Sequence, residues 1–421
     1  MRIPKFYYGW WIVFGGTLIM AFATPMVNAL NTLYVVPISQ DLSLSRSNYL
    51  LTSTFTAIAC IFATPIIGRL MRRDNLLGIQ SISTLIMAIS YASFSMATSA
   101  WHLYLASFII GLTYMAAGMI PISVMIANWF VEKQGLAMSI VFSGISIGGV
   151  ILSPLTSSLI LQHGWRVTRL YVSGFFILIT IPTILFMLKA SPEKIGLQAY
   201  GQPQAVKGSA SREPTDTSLH IPNQGNDSPF LKKPYFFLLM IGMILSGAVC
   251  GGGMQHMGPF VTDLHDPMFA SLIISLYSFS AIFGKLILGW LYDKYGNNQS
   301  LLFGGVLFVV SFILMAFFGN NKIIMLVASV FFGIGNSIGS INANFVTFSV
   351  FGKKRYAKML SFSKSMQQIG IATGPLIIAS MHEYYSSYRI PWIVSSILAL
   401  AFVISWTKSY SLSSAQTNPN Q

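Results

Sequence analysis

Two lysines, Lys285 and Lys364, stand inside stretches otherwise apolar enough to cross a lipid bilayer. Placing an ammonium near the centre of a membrane helix costs about 2.5–3.5 kcal/mol on insertion scales, so an intramembrane charge marks a functional site by default. A carrier of small organic anions would use such a pair, each ammonium binding one carboxylate as a point charge. Lys285 lies six residues before Leu291 and Lys364 six after Lys358. At 1.5 Å per residue, both are expected roughly 9 Å from the same side of the membrane. Snorkelling of a long stem to the interface is the bland alternative for either lysine, and two at one depth weaken it. All eleven acidic residues fall in loops or at helix ends, so no carboxylate is expected deep in a span to neutralise either charge.

Polar side chains in other apolar stretches extend the candidate substrate site. Asn28, Asn31 and Tyr34 recur at a spacing of three, within about one helical face, and Tyr114, Gln255, Asn336 and Gln367 add further donors and acceptors. Inside lipid such groups either line a cavity or bond a neighbouring helix. His256 is a titratable imidazole toward the outer end of its stretch and is the candidate for proton coupling, although a structural role is the commoner one for a lone histidine.

The elements that must position these residues follow from hydropathy. Hydrophobic residues make up 54% of the 421-residue chain and charged residues 9%, against roughly 25% charged in soluble domains. Runs of about 20 apolar residues span a ~30 Å hydrocarbon core. Twelve such runs lie near 9–36, 47–68, 76–96, 101–128, 135–161, 168–189, 234–257, 268–291, 300–318, 322–349, 356–381 and 390–409. The first is too long for the apolar region of a secretory signal and is expected to be a transmembrane helix. Only helices or closed barrels satisfy backbone groups in lipid, so the fold class is an all-α integral membrane protein of twelve transmembrane helices.

Counting basic residues in alternate loops places 18 of the 25 on one side and five, Arg46, Arg166, Arg169, Lys322 and Arg389, on the other. The positive-inside rule then puts both termini in the cytoplasm of a multi-pass protein of the plasma or inner membrane. The same loops account for the net charge of +14 through anionic headgroups, without nucleic acid. Expected domains are an N-terminal six-helix bundle (1–189), a Pro-, Ser- and Gly-rich cytoplasmic linker (190–233), a C-terminal bundle (234–409) and a tail (410–421).

An offset of 221 residues aligns Gly68-Arg69-Leu70 with Gly289-Trp290-Leu291, Phe130 with Phe351 and Pro154 with Pro375, so the bundles read as pseudo-repeats. At that offset Lys285 falls on Thr64 and Lys364 on Ser143, both uncharged, which favours function over scaffold for the lysines. With Gly289, Leu291, Asp293, Lys294 and Gly296, the layout resembles the major facilitator superfamily, whose G-x-L-x-D-R-x-G-R-R pattern recurs between helices 2 and 3 and between helices 8 and 9. The resemblance implies a gate formed by Gly289, Asp293, Lys294, Arg69 and Arg72. The first copy departs from the pattern, with Arg72 where the aspartate belongs and Asn75 where a glycine belongs.

Tyr7-Tyr8-Gly9-Trp10-Trp11, Asn128-Trp129-Phe130 and Ser191-Pro192-Glu193-Lys194-Ile195-Gly196-Leu197 are similar to the monocarboxylate and oxalate/formate carrier branch, as is Thr32-Leu33-Tyr34 with Pro37. That branch carries a cation in helix 8 and its exchangers a lysine in helix 11, the places of Lys285 and Lys364. Where proton-coupled relatives hold an aspartate before the helix 8 cation, this chain has Ala281. An empty carrier with two uncompensated charges resists reorienting, so antiport is the expected mode. Proton-coupled monocarboxylate symport, drug or metabolite export and a non-transporting sensor are the alternatives. No phosphate-binding loop occurs, and Cys60 and Cys250 stand singly, so neither ATP coupling, a metal, a cofactor nor enzymatic activity is expected. Glycine pairs such as Gly144/Gly148 and Gly370/Gly374 read as close helix packing, and the protein is expected to be a monomer.

Overall fold

A computed structural model describes residues 7–44, 46–71, 74–201 and 233–417. Most of the expected linker and Arg72 lie outside the described residues. Among the described residues, ten helical stretches are long and apolar enough to cross a bilayer. Two of these hold two spans each, joined where glycine takes positive φ: Gly164 (φ 76°) inside Gln134–Pro182 and Gly352 (φ 65°) inside Asn342–Tyr385. Only glycine adopts that conformation without strain, so each long helix turns there and twelve spans result.

The spans are α1 (Gly9–Val27, continued by short helices Ala29–Leu33 and Val35–Asp41), α2 (Arg46–Leu70), α3 (Leu76–Ser93) and α4 (Ala100–Ala117, continued by Met119–Trp129). Gln134–Pro182 supplies α5 (134–163) and α6 (165–182). In the second half come α7 (Pro234–Leu264), α8 (Pro267–Tyr295), α9 (Asn297–Phe318) and α10 (Lys322–Asn336, continued through the 3₁₀ turn Ser337–Gly339 to 351). The last are α11 (353–385) and α12 (Arg389–Thr417), the latter running eight residues past the expected limit of 409.

Backbone breaks interrupt α1 at Asn28, α4 at Gly118 and α10 at Gly339. Gly339 follows Gly118 by the same 221 residues that relate the gate motifs, so the repeat extends to a shared helix break. The outward-facing side chains are those of a lipid-immersed surface: Phe62, Trp101, Leu161 and Phe186 are each more than two-thirds exposed.

Close backbone approach knits each half. Gly144 and Gly148 of α5 lie against Thr17 and Ala21 of α1, and Gly370 and Gly374 of α11 lie against Ile244 and Ala248 of α7. In each pair the missing side chain lets a neighbouring carbonyl pack directly on the helix. The halves meet along two seams, α2 with α11 and α5 with α8.

Three segments far apart in sequence converge beneath the first half. Tyr7 donates its hydroxyl to the carbonyls of Trp129 and Gln198, both at 3.0 Å, Trp129 Nε1 donates to Lys189 O at 2.8 Å, and Phe130 forms an isolated bridge with Tyr200. The 3₁₀ turn Pro192–Ile195 precedes this contact.

Candidate substrate-binding site and gate

Lys285 is 6% exposed on α8 and Lys364 is 2% exposed on α11, so neither snorkels to a surface. Lys285 Nζ donates to Ser146 Oγ at 2.8 Å and to Phe142 O at 3.2 Å, both on α5 across the seam. Lys364 Nζ donates within its own half, to Gln367 Oε1 one turn along at 3.0 Å. Gln367 in turn donates from Nε2 to Gly339 O at the α10 break (2.7 Å) and to Ser246 Oγ of α7 (3.4 Å). The two ammonium groups therefore have separate partners in this conformation. No carboxylate lies within ion-pair distance of either among the described residues. Their repeat equivalents Thr64 and Ser143 bond their own helices four residues back, to Cys60 O and Ser139 O.

The remaining sequence candidates divide into three groups. Asn28 is exposed at the α1 break and donates to Tyr114 OH of α4 at 3.4 Å, which unites two of them. Gln255 is exposed on α7, and Asn336 is half-buried beside the α10 break, its carbonyl accepting from Cys250 Sγ at 3.9 Å. Tyr34, by contrast, has no exposed surface, and its ring lies 3.8 Å from the guanidinium carbon of Arg169. It is withheld from any cavity in this conformation. Asn31 is half-buried and accepts at Oδ1 from Arg169 Nη2 (3.0 Å) and Tyr49 OH (2.7 Å).

Arg169 corrects the loop reading. It is 1% exposed inside α6, not a charge of the outer loop. The sixth apolar run, 168–189, encloses it, so the sequence carries the signal. Tyr49 and Ser146 were also missed. Ser146 sits three residues from Ser143 and carries no mark of its own.

His256 is half-buried on α7. Its Nε2 is 2.9 Å from Pro375 O and its Nδ1 is 3.3 Å from Tyr388 OH. A carbonyl only accepts, so Nε2 carries the proton and the Tyr388 hydroxyl donates to Nδ1. The neutral ring is thus satisfied on both sides.

At the end of the bundle where Tyr7, Tyr200 and Pro234 lie, the second copy of the motif sits on the α5/α8 seam. Asp293 of α8 accepts from Gly135 N at 2.6 Å and Leu136 N at 2.8 Å, the free amides at the start of α5. Carboxylates suit that position because helix N-termini leave amides unbonded and carry partial positive charge. Gly289 allows the contact, since a Cβ there would strike Ser139 and Gly135. Lys294 lies over Trp290 and Tyr295, 4.9 Å from each ring centre, and Arg69 is exposed. The α2/α11 seam holds no equivalent carboxylate among the described residues. There Ser365 Oγ donates to Ile61 O, Gly68 packs on Ser361, and at the same end Lys353 Nζ reaches Asn128 O at 3.4 Å.

Twelve spans in two repeated halves that meet along two seams define a multi-pass membrane protein. The chain belongs to the Major Facilitator Superfamily, whose profile matches residues 14–265 and 253–419. It is 23% identical over 304 residues to monocarboxylate transporter 12 of Mus musculus, covering 68% of this chain and 61% of that one. A shorter match, 26% over 210 residues, joins it to monocarboxylate transporter 12-B of Danio rerio, spanning 44% of that relative. The multi-drug resistance efflux pump PmrA homolog of Lactococcus lactis is 23% identical over 381 residues, with 87% and 86% of the two chains covered. Among solved structures, FucP in the outward conformation superposes with a TM-score of 0.72 at 12% identity, covering 94% of this chain and 98% of that one. The human organic anion transporter MFSD10 gives 0.68 at 14%, covering 96% and 100%.

Proposed function

We propose that the protein exchanges small organic anions, mono- or dicarboxylates, across the cell membrane by alternating access. The observation that carries this reading is the pair of buried lysines without a carboxylate partner among the described residues, one of them bonded across the seam between the halves. Neutral hydroxyl, amide and carbonyl acceptors hold the ammoniums, and a carboxylate would form stronger charge-assisted bonds in their place. Asn28, Tyr114, Gln255, Asn336 and Gln367 are the further residues assigned to the substrate path. Asp293 would hold the cytoplasmic end shut while the opposite end is open, consistent with α1 and α7 not being among the closely packed helix pairs. The Lys285–Ser146 bond must break when the halves rock, so the empty carrier is held in place and exchange is favoured over net flux.

A thermal-stability screen of the detergent-purified protein against small carboxylates tests the site, with Lys285→Ala and Lys364→Ala alongside. Ligand at 100 times its dissociation constant adds about 2.7 kcal/mol to the folded state. One carboxylate class should stabilise the wild type and neither variant. Equal responses from all three proteins would end the lysine assignment.

The efflux reading is favoured by the PmrA homolog, which matches along most of both chains. A cationic drug would want a carboxylate within the membrane, and the described carboxylates all lie at helix ends or in loops. Stabilisation by lipophilic cations and not by carboxylates would favour export.

A further inference from the structure

Arg169 is a third buried cation, and the function proposed above leaves it unused. Its guanidinium carbon lies 3.8 Å, 4.3 Å and 4.4 Å from the ring centres of Tyr34, Tyr91 and Phe94. The nearby outer carboxylate, Asp41, is bonded instead to Arg166 at 2.9 Å. Arg169 Nη2 donates to Asn31 Oδ1 and to Tyr49 OH, both at 3.0 Å, and the Tyr49 hydroxyl passes its own hydrogen to Asn31 Oδ1 at 2.7 Å. Every member of this triangle has a fixed role. Arginine can only donate, so the atom of Asn31 facing it is the amide oxygen and not the nitrogen. The Tyr49 oxygen accepts from arginine, which directs its hydrogen to the same amide oxygen.

We propose that Arg169 is a positioning residue that, with Tyr49, turns the Asn31 amide so that both its N–H bonds face the open path between the halves, as a donor site for an incoming carboxylate. Asn31 is half-buried, its nitrogen has no partner among the described residues, and the short helix carrying it starts one residue after the exposed break at Asn28. The aromatic faces hold the guanidinium by cation–π attraction, and no acid among the described residues pairs with it to cancel its field. Its positive charge further polarises the amide toward donation. The site is neutral at the contact atoms, so it favours an anion without trapping it.

This inference rests on the organic-anion reading, and the experiment separates the two. Exchange of a panel of acetate, lactate, oxalate and succinate is measured in proteoliposomes for wild type, Lys285→Ala, Asn31→Asp, Tyr49→Phe and Arg169→Lys, with thermal stability recorded for each. Asn31→Asp gives the buried guanidinium an anionic partner while replacing both N–H donors with an acceptor. The expected result is a protein at least as stable as wild type whose KM for the transported acid rises about tenfold with turnover retained, the loss of one hydrogen bond to a charged group. Tyr49→Phe should raise KM in the same sense by a smaller factor, and a folded Arg169→Lys should match it. If Lys285→Ala abolishes transport while Asn31→Asp and Tyr49→Phe keep the wild-type KM, the positioning role is wrong and the anion site stands. If Lys285→Ala transports every acid like wild type, the lysine assignment fails, and if wild type exchanges no acid of the panel, the anion reading itself fails.

Discussion

Lys285 of α8 and Ser146 of α5 are joined by a 2.8 Å hydrogen bond across the seam between the two halves of the molecule. The same ammonium proposed to bind substrate is therefore also a tie between the bodies that must separate. A carboxylate that captures the ammonium would compete with Ser146 for it, and binding would loosen the seam. Ser146→Ala should accordingly raise net efflux from loaded proteoliposomes about threefold to tenfold, while exchange with external substrate changes little, given that hydrogen bonds to charged groups are worth about 1.5–3 kcal/mol and Phe142 O remains. Unchanged net efflux would remove the tie from the mechanism.

Lys364 is positioned by a different device, since Gln367 holds its ammonium from one end and the α10 break at Gly339 from the other. Gln367→Glu would convert that contact into a buried ion pair and cancel the charge offered to substrate. The expected outcome is a folded protein with no thermal response to carboxylates. Gln367→Leu removes a residue of the proposed path but leaves the ammonium charged, and should keep a weakened response, so the pair distinguishes loss of charge from loss of the amide. A full response in Gln367→Glu would place Lys364 outside the site.

Hydropathy made the spans legible because lipid forces every backbone group to bond within its own helix, leaving a long apolar run as the trace. The motif around Asp293 drew attention to that carboxylate, but its partners, the free amides of Gly135 and Leu136, were not legible because a backbone amide leaves no mark in the sequence. What hydropathy could not register are the dihedral breaks at Asn28 and Gly118 and the 3₁₀ turn that ends at Gly339, which leave no change of polarity along their runs. Arg169 escaped because a charge near a run's end reads as a loop charge, and only the aromatic faces of Tyr34, Tyr91 and Phe94, from two other spans and a turn, explain its burial. Tyr34 shows the converse, a polar-tipped ring in a plausible cavity position that the fold spends on packing.

The close approach of α7 and α11 predicts a contrast between two identical substitutions. A Cβ on Gly370 would strike the backbone of Ile244 and Ala248, which cannot move without shifting α7, whereas a Cβ on Gly78 meets nothing within 4 Å. Gly370→Ala should destabilise the detergent-solubilised protein by about 1–3 kcal/mol through overpacking. Gly78→Ala should leave it unchanged or gain up to about 1 kcal/mol from helix propensity. Equal melting temperatures for the two variants would contradict the packing described.

Asp293 bonds two amides of a helix in the opposite half, so its removal acts on the balance between conformations more than on the folding of either half. Loss of an N-cap costs about 0.5–2 kcal/mol, and 1.4 kcal/mol changes a two-state population tenfold. Asp293→Ala should therefore shift the carrier toward the state open at the gate end. A cysteine introduced at Ser139, which lies against Gly289 in the closed seam, reports the shift. Its labelling by a membrane-impermeant maleimide from the gate side should quicken about tenfold in the Asp293→Ala background. Asp293→Asn keeps an acceptor but loses the charge and should fall between. Labelling at the same rate in all three backgrounds would mean that the α5/α8 seam is held shut by packing of Gly289 and Gly135 alone.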